Sequence, residues 1–517
     1  MKKIFKILAV VLSSFLSFSC YFLTNSTSKN DYFPGTVSEN QYSNSKTYAV
    51  GDTAGFYLCG NSDESTYESR DFKLVSIGEH YNAWLVNLDS TYMQQYILTE
   101  DEVKEITTVF DENYSKMISI FGSNEYSGVF YSNIVSSYSG KVNLLFYDIY
   151  GDSSASQTGG TFGFFTAQDF ISMQPSEDSV SPLNKTEALH IDSYFSKLGP
   201  VEVKLTILHE FNHLLNYINK YITIRNSSYY ESWFTEMLSM LAEDILATKV
   251  SGVETKDTPF ARIPYFNYYY PLGFKNWRNT KNYYPNGDNL VSYANAYVFG
   301  AYLLRRYGDL ELIHKIATNT SINEAAITQA LKDCNQSADF ESVLKEECEY
   351  LTDYDSTLYD KLTDSFDGEQ YTLNSFPTSG KYGLSLSIWN SPDSGKNLWF
   401  ASNASLVMGP YGFLIQDAGS VSSVDSLQNK DDRISVSKVS MSTKKGTKDC
   451  FVKVYSTLTS DSSDIAYSKT GIVGTIKSFS SAFSNSRSAI DDVSVIENSI
   501  LRRTERNEPA LKLVPIE

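Results

Sequence analysis

One segment near the middle of this 517-residue chain constrains its fold more than any other. Residues 200–220 read PVEVKLTILHEFNHLLNYINK. A proline at the first position favours the start of a helix, because the N–H that it lacks has no helical partner there. Apolar residues then recur at helical spacing: Leu205, Leu208, Leu215 and Ile218. The pattern predicts an amphipathic helix with one face in the core.

Two histidines on this helix are spaced for a metal ion. His209 and His213 are about one helical turn apart, so both imidazoles lie on one face, with Glu210 beside them. Two neutral imidazoles at this spacing bind one Zn2+, and the glutamate of HExxH acts on the water at the metal. We therefore predict a Zn2+ site with His209 and His213 as ligands and Glu210 as catalytic base.

A catalytic zinc site also needs a third protein ligand and one position open for water. The extended pattern HExxHxxGxxH is excluded, because Asn216 and Asn219 replace its glycine and its third histidine. The other source is a second helix, which residues 231–244, ESWFTEMLSMLAED, predict. Glu236 falls within the apolar stripe of that helix, where a carboxylate is costly unless it is paired or binds a metal. The remaining acidic residues are predicted to be helix-end or solvent-facing charges: Glu231, Glu243 and Asp244.

The two helices resemble a known family. WFTEMLS after HEFNH is similar to the zinc helices of gluzincin metallopeptidases, and the longer run HEFNHLLNY…ESWFTEMLSMLAED resembles the hyicolysin family. The similarity covers residues 48–310 and includes VGDTAGFY, KVNLLFYDIYGD and SYANAYVFGAYLLRRYGD. It implies a thermolysin-like catalytic domain, metalloendopeptidase activity and His209, His213 and Glu236 as ligands. The chain departs from the thermolysin pattern at Met240, where that pattern has an aspartate, so no residue is assigned to support the first histidine.

A zinc peptidase gains from a hydrogen-bond donor that faces the developing oxyanion. Tyr293, in VSYA at the start of an apolar helix, resembles the tyrosine of gluzincin aminopeptidases, and we predict it as that donor. A packing role for Tyr293 stays open, because the chain has 38 tyrosines. His190, in LHID, is a second candidate, with strand packing as its default role. His80 and His314 lack a partner at ligand spacing and are predicted to be structural.

The N-terminus predicts export. Three lysines precede an apolar run at residues 7–18, which is too short to span a bilayer and is typical of a signal peptide. Cys20 follows a small residue, as in a bacterial lipobox. We predict cleavage after residue 19 and a lipid on Cys20, which anchors the chain at the cell surface or in the periplasm. Secretion with a free Cys20 is the alternative.

The remaining patterns predict an α+β protein. Short alternating runs suggest an N-terminal antiparallel β unit, an acidic first turn predicts a helix at residues 100–121, and KVNLLFYDI and TFGFF predict strands. Short strand-like runs after residue 367 predict a C-terminal all-β, sandwich-like domain. The predicted division is a signal peptide (1–19), a lipid-anchored tether (20–46), the N-terminal β unit (47–98), the zinc metallopeptidase catalytic domain (99–365), the C-terminal β domain (366–480) and an unassigned tail (481–517).

Charge and cysteine content limit the partners. The formal net charge of −18 argues against nucleic acid, which requires clustered Lys and Arg. Four cysteines follow Cys20, namely Cys59, Cys334, Cys348 and Cys450. Cys334 and Cys348 would close a short local loop as a disulfide in an exported protein; the alternative is that all four are buried thiols. The predicted partners are protein or peptide substrates and, through Cys20, a membrane.

Together these features predict a zinc-dependent metalloendopeptidase. It hydrolyses extracellular or periplasmic proteins by Glu210-assisted attack of a zinc-bound water. The substrate is expected to lie extended along a sheet edge, formed by either TFGFF or ALHID. Two alternatives remain: a surface-anchored binding protein or adhesin with a structural zinc site, and a zinc aminopeptidase. The aminopeptidase is less favoured, because no GxMEN-like segment supplies an anchor for the substrate amine.

Overall fold

The structure is a computed structural model that describes part of the chain. The described residues are 40–59, 67–88, 98–126, 140–149, 161–170, 184–223, 231–277, 289–352, 362–377, 382–384, 386, 406–417, 431–443, 446–457, 463–468 and 471–476. The predicted signal peptide, Cys20, most of the tether and the tail lie outside them. Contacts between Cα atoms divide the chain into two compact units, one of Met1–Thr235 and Ile245–Val253, the other of Glu236–Asp244 and Glu254–Glu517.

The first unit contains a six-stranded mixed sheet. Its strands are β1 (Thr53–Cys59), β2 (Tyr67–Ile77), β3 (Tyr81–Val86), β4 (Val142–Tyr147), β5 (Gly163–Phe165) and β6 (Ala188–Asp192). The spatial order is β1-β2-β3-β4-β6-β5. Strands β3, β4 and β6 are parallel to one another, and the other pairs are antiparallel. The strands of the predicted N-terminal β unit are therefore hydrogen-bonded into the same sheet as β4–β6. The domain boundaries given from the sequence, at residues 47, 99 and 366, stay a prediction.

Apolar strand residues form the core on one face of this sheet. Phe56, Phe72, Trp84 and Tyr147 are fully buried in one cluster. Strand β4 is buried along its whole length, which explains why five of its six residues are apolar or aromatic.

Three described helices and a π-helical segment lie in the first unit. They are α1 (Glu100–Phe121), α2 (Ser193–Leu198), α3 (Pro200–Asn216) and the π segment Tyr217–Thr223. Helix α1 confirms the helix predicted at residues 100–121. Thr99 and Glu102 form a capping box at its N-terminus, which satisfies backbone N–H groups that have no helical partner.

The next helix belongs to both units. Helix α4 (Ser232–Leu246) begins in the first unit, and its central part, Glu236–Asp244, is assigned to the second. It confirms the second helix predicted from ESWFTEMLSMLAED.

The rest of the second unit begins with helices. They are α5 (Ile263–Tyr269), α6 (Asn289–Leu303), the π segment Leu304–Gly308, α7 (Asp309–Thr318), α8 (Asn323–Asp333) and α9 (Phe340–Thr352). Helix α6 is buried from Leu290 to Leu303, which explains its nearly unbroken apolar sequence. Cys334 and Cys348 are free thiols, so the predicted disulfide between them is not formed.

Short strands follow in small antiparallel sheets. The strands are β7 (Thr363–Phe366), β8 (Glu369–Thr372), β9 (Leu406–Met408), β10 (Phe413–Asp417), β11 (Ile434–Thr443), β12 (Gly446–Tyr455), β13 (Asp464–Ser468) and β14 (Gly471–Ile476). They form the sheets β7-β8, β10-β12-β11 and β14-β13-β9. The predicted strand DCFVKVYS coincides with β12, whereas NLWFAS lies outside the described residues. Within the described ranges, no helix combines the length and the hydropathy that crossing a bilayer requires.

Candidate metal centre

Helix α3 carries the HExxH motif as predicted. It begins at Pro200, directly after Gly199, and its C-terminal half is buried. His209 and His213 are each 3% exposed, and Glu210 is fully buried. Polar groups on the buried side of a helix are costly unless they have a role or a partner, so this burial marks the motif as more than a surface feature.

The two imidazoles point toward each other. The Nε2 atoms of His209 and His213 are 3.2 Å apart, and the ring planes make an angle of 72°. Two nitrogens that each lie 2.0–2.1 Å from one tetrahedral zinc ion are about 3.3 Å apart. The observed separation therefore suits a shared ion.

Glu236 of helix α4 completes a group of three possible ligands. One ligand atom from each of His209, His213 and Glu236 lies within 4.8 Å of the other two, and all three residues are buried. Within the described part of the chain, this is the one such group of His, Cys, Asp or Glu residues. Two imidazoles and a carboxylate form the donor set of known catalytic zinc sites, so these residues fit Zn2+.

The other acidic residues of helix α4 have different partners. Glu231 accepts a hydrogen bond from the indole N–H of Trp233 at 2.8 Å, consistent with a helix-end role. Glu243 and Asp244 are only 7% and 1% exposed, so the prediction that they are solvent-facing charges is wrong for both. Their charges are balanced inside the protein, because each lies within ion-pair distance of an arginine, Glu243 with Arg262 and Asp244 with Arg305.

Glu210 lies against strand β5. A Cβ atom added to Gly163 would be 3.2 Å from Cγ of Glu210 and 3.1 Å from Cγ2 of Thr206, so this strand and α3 are in close contact. Among the described strands, β5 is at the edge of the sheet, whereas β6 lies between β4 and β5. Of the two sheet-edge candidates, TFGFF is therefore at the edge and ALHID is not.

Tyr293 contacts the proposed ligand glutamate. Its hydroxyl donates a hydrogen bond to Oε1 of Glu236 at 3.1 Å, and the residue is 2% exposed. The ring packs edge-on against Trp277 and beneath the guanidinium of Arg262, 5.1 Å from the ring centre. These contacts hold the phenol ring in place, with its hydroxyl next to the carboxylate of Glu236.

The other histidines have structural roles. Both ring nitrogens of His190 are engaged, Nε2 with Asp169 at 2.8 Å and Nδ1 with the hydroxyl of Tyr147 at 3.0 Å. His190 also stacks on Phe164, its cross-strand neighbour, and Phe164 points to the opposite sheet face from Gly163, which faces α3. His190 is therefore not the oxyanion donor. The predicted structural roles fit the contacts of two others: His80 stacks on Tyr114 and His314 lies against Phe366.

Sequence reasoning missed two buried cations. Lys220, in the π segment after α3, is 1% exposed, and burial lowers its pKa from 10.5 to about 7. Arg305, in the other π segment, is 4% exposed and pairs with Asp244. Neither cation has a local sequence signature, although π-helical turns are frequent at functional sites.

The fold and the donor set define an α+β protein with a HExxH motif and a candidate metal centre on two helices. A model of the Peptidase M30 family matches residues 72–353, more than half of the chain. The chain belongs to this family, the hyicolysin family, which confirms the resemblance inferred from its motifs. It is 28% identical over 275 residues to the neutral metalloprotease ShpI of Staphylococcus hyicus, an alignment that covers 52% of this chain and 53% of that protein. The chain thus spans about half the length of the curated relative that it matches.

Proposed function

We propose that this chain is a zinc-dependent endopeptidase. The observation that carries the proposal is the buried group of His209, His213 and Glu236, with Glu210 next to the first histidine in the chain. Bound at these residues, Zn2+ supplies a Lewis acid that polarises a carbonyl and lowers the pKa of a water toward 7. Membership of a peptidase family and a relative named as a neutral metalloprotease support the proposal.

Glu210 is the general base of the proposed reaction. Its carboxylate accepts a proton from the attacking water and delivers it to the nitrogen of the leaving amine. The side chain is fully buried and packs close to Gly163, which restricts its freedom to turn away. A fixed carboxylate loses less entropy when the substrate and water are brought into line.

Tyr293 is the proposed donor to the oxyanion. Its hydroxyl lies 3.1 Å from Oε1 of Glu236, and therefore next to a proposed metal ligand. A phenol O–H rotates about its C–O bond, which lets it turn from this acceptor to an oxygen that gains charge.

The substrate is proposed to lie extended along β5. A sheet edge offers main-chain hydrogen bonds that are independent of the substrate sequence. Strand β5 is the edge strand next to β6 among the described strands, and it lies close to Glu210. This geometry supports cleavage within a chain.

We assign the catalytic domain, with a thermolysin-like fold, to residues 99–365, and an all-β domain to residues 366–480.

A structural zinc site in a binding protein or adhesin is the competing function. Structural sites close with a fourth protein ligand. The group found in the described residues has three donors, and this supports an open position for water.

We further propose that the protein is exported and held at a membrane by a lipid on Cys20. The proposal rests on the lysines, the apolar run and the cysteine of residues 1–20. It places the enzyme where protein substrates outside the cytoplasm are available.

The test compares residues 21–517 with their Glu210→Gln variant. We expect about one zinc per chain in both proteins by elemental analysis. Cleavage of an unstructured protein is expected to fall by at least about 100-fold in the variant, because the amide cannot accept the proton. Glu202→Gln, the same change in the first turn of helix α3, is the matched control and should keep its activity.

Two outcomes would contradict the proposal. If Glu210→Gln cleaves as fast as the wild type, Glu210 is not the base. If both proteins are folded and zinc-loaded and neither cleaves, a binding protein with a structural zinc site is the better assignment.

A further inference from the structure

A buried ion pair holds the end of helix α4 that lies beyond Glu236. Nη1 and Nη2 of Arg305 donate to the two carboxylate oxygens of Asp244 at 2.8 and 3.0 Å. The side chains of Arg305 and Asp244 are 0% and 2% exposed. Tyr297 donates a further hydrogen bond to Oδ2 of Asp244 at 2.9 Å. This bidentate geometry fixes the relative orientation of the guanidinium and the carboxylate as well as their distance.

Arg305 is itself held by a later part of the chain. Its Nη2 donates to the backbone oxygen of Asn374 at 3.1 Å, and its guanidinium lies 5.2 Å from the ring centre of Phe376. The arginine therefore has little freedom to follow Asp244 if helix α4 moves. Arg305 therefore restrains the position of helix α4 through its contact with Asp244.

Helix α6 and its π extension contact α4 along the stretch from Glu236 to Asp244. Tyr293 bonds to Glu236 near one end of this stretch, and Arg305 bonds to Asp244 at the other. Between them, Gly300 lies so close to α4 that an added Cβ would be 2.6 Å from Cγ of Met237. The close approach makes the contact sensitive to any shift of α4 along its axis.

A buried ion pair adds little net stability, because the two charges lose their hydration. Its better-attested use is to fix one register among several that packing would allow. A slip of one residue along a helix moves each side chain by about 1.5 Å and rotates it by about 100°. Zinc–ligand distances tolerate only about 0.2 Å, so the register of α4 decides whether Glu236 can bind.

We infer that the Asp244–Arg305 pair, assisted by Tyr297, positions Glu236 for metal binding and thereby sets zinc affinity. Asp244 and Arg305 are positioning residues that act through the helix and touch neither metal nor substrate. The inference rests on the proposed function, because it needs the metal at His209, His213 and Glu236.

The experiment measures the zinc dissociation constant by competition with a chelator. We expect Asp244→Asn and Arg305→Lys to weaken zinc binding by about 10- to 100-fold, the range for residues that orient a ligand. Glu324→Gln is the matched control. It removes a carboxylate that is paired with Lys275 at 2.6 Å in the same unit, and it should leave zinc binding unchanged.

A double-mutant cycle separates positioning from general loosening of the fold. If Asp244 acts through Glu236, then adding Asp244→Asn to Glu236→Gln causes no further loss of zinc affinity. If the two losses multiply, the pair has a merely structural role and the inference is overturned. Circular dichroism establishes that each variant is folded, and Tyr297→Phe, which keeps both charges, replaces Asp244→Asn if that variant does not fold.

The failure of this inference differs from the failure of the proposed function. Unchanged zinc affinity in folded Asp244→Asn and Arg305→Lys, with zinc bound in the wild type, overturns the inference alone. A wild-type protein that binds no zinc overturns both.

Discussion

Gly163 occupies a position on β5 where an added methyl group would be crowded. An added Cβ would lie 3.0 Å from the backbone oxygen of His190, 3.1 Å from Cγ2 of Thr206 and 3.2 Å from Cγ of Glu210. All three distances are shorter than an ordinary van der Waals contact between such atoms. The backbone oxygen cannot move without disturbing the sheet, so the strain falls on the side chains of α3.

We predict that Gly163→Ala lowers kcat/KM by about tenfold while zinc content stays the same. The new methyl group displaces Glu210, and a small misplacement of a catalytic group is costly in rate. Steady-state kinetics with metal analysis gives the measurement. Thr206→Ser removes the Cγ2 atom that the methyl group meets, so the double variant should recover part of the loss. Full activity of Gly163→Ala would show that Glu210 does not depend on this contact.

A second prediction concerns the hydroxyl of Tyr293. Tyr293→Phe keeps the ring in its contacts with Trp277 and Arg262 and removes only the donor to Glu236. If the hydroxyl stabilises the oxyanion, kcat falls by about 100- to 1000-fold with KM and zinc affinity nearly unchanged. A loss of zinc affinity at a normal kcat for the zinc-loaded enzyme would instead assign Tyr293 to ligand orientation.

At the scale of elements, helix α3 continues into a π segment that buries a lysine. Lys220 lies 6.0 Å from the ring centre of Phe234, a residue of α4. Burial lowers its pKa to about 7. Between about pH 7 and its ordinary pKa of 10.5, Lys220 is mostly neutral in the folded chain and charged in the unfolded chain. The unfolded state then binds more protons, so the free energy of unfolding rises with pH in this window.

We therefore predict that the cost of burying Lys220 to the free energy of unfolding shrinks by up to about 1.4 kcal/mol per pH unit above pH 7. The measurement is the difference in unfolding free energy between the wild type and Lys220→Met, from urea titrations at pH 7, 8 and 9. Other titrating groups cancel in this difference. The methionine variant should be the more stable protein at pH 7, and its advantage should shrink as pH rises. Parallel pH profiles would contradict the shifted pKa.

The elements themselves were predictable to different degrees. Helices α1, α3 and α4 follow from capping and periodicity within one stretch of chain. The burial of Glu243 and Asp244 could not be predicted from the sequence. A charged residue near a helix end is expected to face solvent unless a residue distant in the sequence, such as an arginine, forms an ion pair with it. Arg305 is such a residue, 61 positions away from Asp244 in the sequence.

At the scale of the whole molecule, the first three strands are part of the main sheet. Strand β3 pairs with β4 in parallel register from Tyr81↔Val142 to Leu85↔Phe146. Loss of the segment before residue 99 would leave β4 as an edge strand and expose the apolar side chains that pack on β1–β3. This pairing argues against treating residues 47–98 as a removable propeptide.

The last prediction concerns the anchorage of the whole chain. In a bacterial host, the wild type should incorporate labelled fatty acid and partition into detergent, and Cys20→Ser should do neither, because a thiol is needed to carry the lipid. Cys334→Ser, which alters a free cysteine elsewhere, is the control and should behave as the wild type. An unlabelled wild type in the aqueous phase would favour secretion with a free Cys20.

The sequence by itself determined the HExxH helix, the ligand roles proposed for His209 and His213, and the choice of Glu236. Spacing within one helix fixes which side chains share a face, and an acidic residue in an apolar stripe needs a special partner. Only the tertiary structure decided that β5 and not β6 is the edge among the described strands, that Gly163 lies close to Glu210, and that Arg305 pairs with Asp244 on the helix of Glu236. These contacts join residues far apart in the chain, and long-range packing leaves no periodic pattern in the sequence of either partner.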